Sequence, residues 1–123
     1  MNILTRDQVR ATHAYQCVKG VVPNLWDDYE TALLGLGTQL LRSGLAATMA
    51  QLERMSNKDV RGLIFDHLGR AGIPGLDDEG NEATETIPER VRGLQLESYI
   101  LATREMLRVL HWLKRAAQAR AAR

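Results

Sequence analysis

Apolar residues recur at helical spacing through most of the chain, and no stretch shows the two-residue alternation of a half-buried strand. The clearest case is the last stretch, Tyr99 to Arg123, which holds no Pro or Gly and is built from good helix formers. There Tyr99, Ala102, Met106, Val109, Leu110, Leu113 and Ala117 share one broad arc, the buried face of a long C-terminal helix. Arg104, Arg108, His111 and Arg115 form a second stripe on another side. The first helix starts near Arg6, where Thr5 and Gln8 make a capping box, and ends at Gly20 and Pro23. Its apolar stripe is Ala11, Ala14, Tyr15, Val18 and Val22, with Arg6, Arg10 and His13 opposite.

Asn24 is the expected cap of a second helix, whose core positions are Trp26, Tyr29, Leu33, Leu36 and Leu40. Gly35 and Gly37 inside it mark either close helix packing or a local break, since each costs about 1 kcal/mol in a helix. Ser43-Gly44 punctuates the chain, with Gly44 suited to a left-handed position. A third helix buries Leu45, Met49 and Leu52; a fourth, capped by Ser56 and Asn57, buries Val60, Leu63, Ile64 and Leu68. Gly69, Gly72, Pro74 and Gly75 stop regular structure, and residues 75–86 are expected to be an exposed, mobile acidic loop. Thr86 to Glu89, with Pro88, opens another helix, and Gly93 separates it from the last one. The expected fold class is all-α: one domain over residues 1–123, a compact bundle of five to six helices with a long C-terminal helix.

Charge changes this picture by its distribution. The 123 residues carry a net charge of only +1. Yet Asp77, Asp78, Glu79, Glu82, Glu85 and Glu89 form an acids-only run, whereas Arg104, Arg108, Lys114, Arg115, Arg120 and Arg123 face Glu105 alone. Thirteen of the sixteen cations are Arg. That bias suits phosphate and base contact, and equally a GC-rich genome or a hot growth temperature. The single Cys17 excludes an internal disulfide. No apolar run reaches the roughly 20 residues of a membrane span, and there is no leader pattern, so a cytoplasmic protein without membrane partners is expected.

Catalytic patterns are missing. His13, His67 and His111 lie on different helices, with no His-x-x-x-His or Cys-x-x-Cys spacing for a metal. The acidic run lacks the spaced oxygens of a calcium loop. Gly35-Leu36-Gly37-Thr38 lacks the remaining parts of a phosphate loop, and Cys17 beside His13 reads as a packed thiol. No cofactor, metal or small-molecule substrate is expected, and no enzymatic activity. The basic stripe reads either as a solvated face or as a strip touching a phosphate backbone. Trp112, off the centre of the apolar arc, is either a core residue or an anchor for a partner protein. A helix-turn-helix DNA-binding regulator is the alternative, with its turn at Ser43-Gly44, although Leu45 to Leu52 offers little to base edges.

The stretch Tyr99-x-x-x-Thr103-x-Glu105-x-Leu107-x-x-Leu110-x-Trp112-Leu113-Lys114-Arg115-x-Ala117 resembles the C-terminal signature of the small helical, fifth subunit of the Cmr complex, the type III-B CRISPR RNA-silencing assembly of the RAMP module. Leu40-Leu41-Arg42-Ser43-Gly44-Leu45, Gln8-x-Arg10-Ala11-x-x-Ala14-x-x-x-Val18 and Leu63-x-x-x-His67-Leu68 are similar to further family blocks, in the same order. The chain departs from the family pattern at Ser43, where Asn is usual, and at Ala116, where Phe is usual. The resemblance implies a non-catalytic subunit that stacks with copies of itself beside the backbone subunits and lines the channel holding guide RNA paired to target RNA. On that reading the RNA-facing or subunit-facing residues are Arg104, Arg108, His111, Lys114 and Arg115, with Trp112 as interface anchor. The family motif itself covers only Lys114 and Arg115 of the basic residues.

Overall fold

A computed structural model describes residues 3–80 and 84–122. Glu82 and Arg123 of the charge pattern lie outside the described residues. The order is α1 (Arg6–Lys19), α2 (Pro23–Ser43), α3 (Leu45–Glu53), α4 (Lys58–Gly69), a short 3-10 turn (Asp78–Gly80), α5 (Ile87–Arg92) and α6 (Leu96–Ala121). The fold is all-helical with a long C-terminal helix, as the periodicity implied.

α6 is the spine. α2 lies antiparallel along it, with Trp26 beside Arg120 at one end and the Tyr99 hydroxyl accepting from the Ala46 amide (2.9 Å) at the other. α1 lies parallel on a second side, placing Arg10 at Glu105 and the Val18 carbonyl at Arg120. α4 packs on α2, and α3 is held between α2 and α5. Tyr29, Leu33, Leu45, Met49, Ile64, Leu68, Met106 and Leu113 are fully buried where these helices meet.

Local chemistry sets the boundaries. Thr5 with Gln8 forms the expected capping box, Thr86 with Glu89 forms a second one at the expected helix start, and Asn57 accepts from the Val60 amide. α2 begins differently: Pro23 takes the first turn and Val22 the cap position, so Asn24 lies inside the helix. α2 runs unbroken through Gly35 and Gly37, and a Cβ at either would meet nothing within 4 Å, so neither close packing nor a break explains them. Gly44 does carry the corner. Its φ of 88° with ψ of 169° is a combination that essentially only glycine adopts, and it turns α2 into α3.

The buried face of α1 differs from the apolar stripe. It runs Arg10, Ala14, Cys17, Val18, while Tyr15 and Val22 are 45% and 48% exposed. The reason is electrostatic. Glu105, 2% exposed on the inner face of α6, receives Arg10, itself 4% exposed, and the Arg6 guanidinium at 2.9 Å. Two cations on one buried carboxylate outweigh the pull of Tyr15, because an unpaired buried charge costs several kcal/mol. Arg10 is therefore buried against α6, and Arg6 reaches Glu105 from the exposed rim.

The segment after α4 is anchored at its start. Ile73 and Leu76 are fully buried, and the buried Arg90 of α5 donates to the Leu76 carbonyl (3.1 Å) and to Asp78 (2.6 Å). Asp78, Glu79 and Glu85 remain exposed.

His67 sits at the α1–α2–α4 junction. Its Nδ1 shares a hydrogen bond with the Tyr29 hydroxyl (2.8 Å), and its carbonyl accepts from His13 Nε2–H (2.9 Å). Burial, against the opposing pull of Asp66, lowers its pKa from 6.5 to about 4.

Two stability predictions follow from these buried groups. Glu105→Leu should lower unfolding free energy by about 3–5 kcal/mol by stranding Arg10, and Arg10→Met with Glu105→Leu should recover most of it, read from urea midpoints. Because the folded state disfavours protonated His67, its contribution should be complete above pH 6.5 and should decline as the pH falls toward 4. The loss should reach about 3 kcal/mol, and the His67→Gln variant should show a correspondingly shallower pH slope in the same titration.

Candidate nucleic-acid interface

The outer face of α6 carries the basic row. Arg104, Arg108, His111, Lys114 and Arg115 are all exposed, and the inner arc that holds them in register is buried from Ala102 to Ala117. Among the described residues, none of these cations forms an ion pair with a carboxylate; the pairs that exist are made by Arg6, Arg10, Arg70 and Arg90. At 1.5 Å per residue, Arg104 to Arg115 spans roughly 16 Å. A row of unneutralised guanidiniums of that length can meet several successive phosphates.

Trp112 is half-buried and packs against the core with part of its ring exposed. The Arg115 guanidinium lies 5.2 Å from its ring centroid, and the His111 ring meets it edge-on at 6.4 Å. The row forms a ridge between two depressions. The one toward α1 is lined by Asp7, Leu107, Arg108, His111, Trp112 and Arg115. The one toward α2 carries Leu34, Thr38 and Leu41 opposite His111 and Lys114.

Not every cation of the C-terminal stretch belongs to this face. Arg120 donates to the carbonyls of Val18 (2.8 Å) and Val21 (2.7 Å) and stacks 4.0 Å over the Trp26 ring, so it closes the end of α1. In the sequence it counts only toward the charge of the C-terminal stretch. Conversely, Tyr15 and Lys19 of α1 join α6 in a further depression with Ala116 and Ala119. Only the true rotation of α1, fixed by Glu105, reveals them there.

The buried cluster of His13, Cys17, Tyr29 and His67 holds no activated nucleophile. Cys17 Sγ lies 3.7 Å from His13 Nδ1, but burial, partly countered by Arg70, pushes the thiol up to about 11. Burial likewise pushes the Tyr29 phenol well above its ordinary range. At neutral pH Cys17, Tyr29 and His67 are uncharged side chains in a packed junction. Among the described residues no three His, Cys, Asp or Glu side chains are grouped to hold a metal ion, and no helix is long and apolar enough to cross a membrane.

A comparison with curated proteins finds no match. Among solved structures, the chain is similar to the crystal structure of a CRISPR-associated Cmr5 family protein from Thermus thermophilus, at 25% identity and a TM-score of 0.77, over 95% of this chain and 97% of that one. The family model described as CRISPR-associated protein (Cas_Cmr5) matches residues 6–120, nearly the whole chain. The chain belongs to the Cmr5 family of CRISPR-associated proteins, which places it with the type III-B CRISPR Cmr complex.

Proposed function

We propose that this protein is a non-catalytic structural and RNA-binding subunit of the type III-B Cmr RNA-guided RNA-silencing complex, working in the cytoplasm. It lines the guide–target RNA channel, beside the backbone subunits and copies of itself. The observation that carries the reading is the row Arg104, Arg108, Lys114 and Arg115: exposed on one ridge, with no internal carboxylate partner among the described residues. Such a row gives sequence-independent, salt-sensitive contact with a phosphate backbone. Family membership supports association with other Cmr subunits. Trp112 and the exposed leucines of the α2–α6 depression, Leu34 and Leu41, support an apolar component to that association.

The helix-turn-helix alternative finds little support in α3. Behind the Gly44 corner that helix buries Leu45, Thr48, Met49 and Leu52 and exposes Ala46, Ala47, Ala50, Gln51 and Glu53. Three alanine methyls, one carboxylate and the single amide of Gln51 are a poor set for reading base edges beside phosphates.

Arg104→Glu with Arg108→Glu should reduce RNA affinity by about tenfold or more at low salt, and should flatten the dependence of log affinity on log salt by roughly 0.7 per lost single-strand phosphate contact. Titrations by fluorescence anisotropy across a salt series measure both. Unchanged RNA binding together with unchanged recovery of the Cmr particle would remove the basis of the assignment.

A further inference from the structure

The seam between α1 and α6 has a composition that phosphate contact alone does not need. On α1, Asp7, Ala11, Tyr15 and Lys19 fall at four-residue steps along one edge. On α6, Arg108, Trp112, Arg115 and Ala119 fall along the facing edge. Because the two helices run parallel, these edges stay together and enclose two successive depressions. The first, about 480 Å³, is bounded by Asp7, Arg108, Trp112 and Arg115. The second, about 310 Å³, is bounded by Tyr15, Lys19, Ala116 and Ala119, with Val18 below. Both fall within the size range of small-ligand sites, roughly 300–1,000 Å³.

We infer that this seam binds unpaired nucleotides of a single RNA strand, one base at the Arg115–Trp112 pair and another on Tyr15, with phosphates of the strand at Arg108, Arg115 and Lys19. The inference rests on the RNA-binding reading above and adds to it the kind of strand. Three observations carry it. Tyr15 is a 45% exposed aromatic whose hydroxyl has no hydrogen-bond partner among the described residues, so packing does not account for it. The Arg115 guanidinium lies 5.2 Å from the Trp112 ring centroid, so a cation and a half-exposed aromatic face sit together on the seam. Finally, the cations alternate with the rings along the seam, the arrangement that holds a strand by backbone and base faces together. A duplex hides those base faces and can reach only the outer ridge. Asp7, the carboxylate of the first depression, repels phosphate, which keeps the backbone on the α6 rim and turns the bases inward.

The test uses the full chain with two probes, a labelled oligouridylate and a blunt RNA duplex of equal length. In the wild type the single strand should bind more tightly. Tyr15→Ala should weaken the single strand about tenfold and leave duplex affinity unchanged, and Tyr15→Phe should retain it. In a Trp26→Phe background, where Trp112 is the remaining indole, the single strand should quench emission and the duplex should not. Because Tyr15 is exposed, circular dichroism should be unaltered in its variants. Equal effects of Tyr15→Ala on both probes, no effect on either, or equal quenching by both would overturn the inference. If Arg104→Glu with Arg108→Glu still weakened both probes, the broader RNA reading would stand without it. Loss of Tyr15→Ala protein from the Cmr particle at unchanged single-strand affinity would make the seam a protein contact and would likewise overturn it.

Discussion

Glu105 is the carboxylate on which the arrangement turns. It sits 2% exposed in a helix face otherwise made of Ala, Met, Val and Leu, and it is tolerable there only because Arg10 and Arg6 reach it from α1. The pair is not an efficient source of stability: Arg10 Nε is buried with no hydrogen-bond partner among the described residues. Buried ion pairs often contribute little net free energy against a well-packed apolar replacement. Here the pair selects the rotation of α1 about its own axis. Apolar matching would accept the face centred on Ala11 and Tyr15 about as readily as the one centred on Ala14 and Cys17. The carboxylate removes that ambiguity, and in doing so it turns Tyr15 and Lys19 outward.

Two groups of arginines stand in opposite conditions. Arg61 donates to the carbonyls of Glu53 and Met55 past the end of α3 (3.1 Å each), Arg90 to the Leu76 carbonyl and Asp78, and Arg120 to carbonyls at the end of α1. Each satisfies backbone acceptors left open where a helix or loop terminates. In each case one terminal nitrogen, Nη1, bridges both acceptors from the end of a long side chain. Arg104, Arg108 and Arg115 show the opposite condition, exposed on a rigid helix with their charge directed to solvent. An excess of arginine over lysine is therefore partly architectural, and the second group is open to a polyanion.

This division explains what the chain revealed before its structure. The inner arc of α6, the Thr5 capping box, the helix start at Thr86 and the Gly44 corner depend on residues a few positions apart, and all were legible. The outer basic row was legible for a related reason: it needs no partner, so periodicity on one helix suffices. The pairs that stayed hidden join residues far apart in sequence. Arg10 meets Glu105 across 95 positions, and Arg120 meets Val18 across 102. Tyr15 was assigned to the core because its apolar ring fits a stripe, and only the distant carboxylate shows that the stripe is rotated. At the start of α2, Pro23 displaced Asn24 from the cap because its missing amide suits the first turn.

Arg120 joins the first, second and last helices through one guanidinium. It touches two carbonyls at the close of α1 and the indole at the opening of α2. The final turns of α6 thus act as a clasp on the opposite end of the chain. Trimming them would not merely shorten a tail. It would expose Trp26 and two carbonyls together, and fraying would begin at the α1–α2 corner, far along the sequence from the cut.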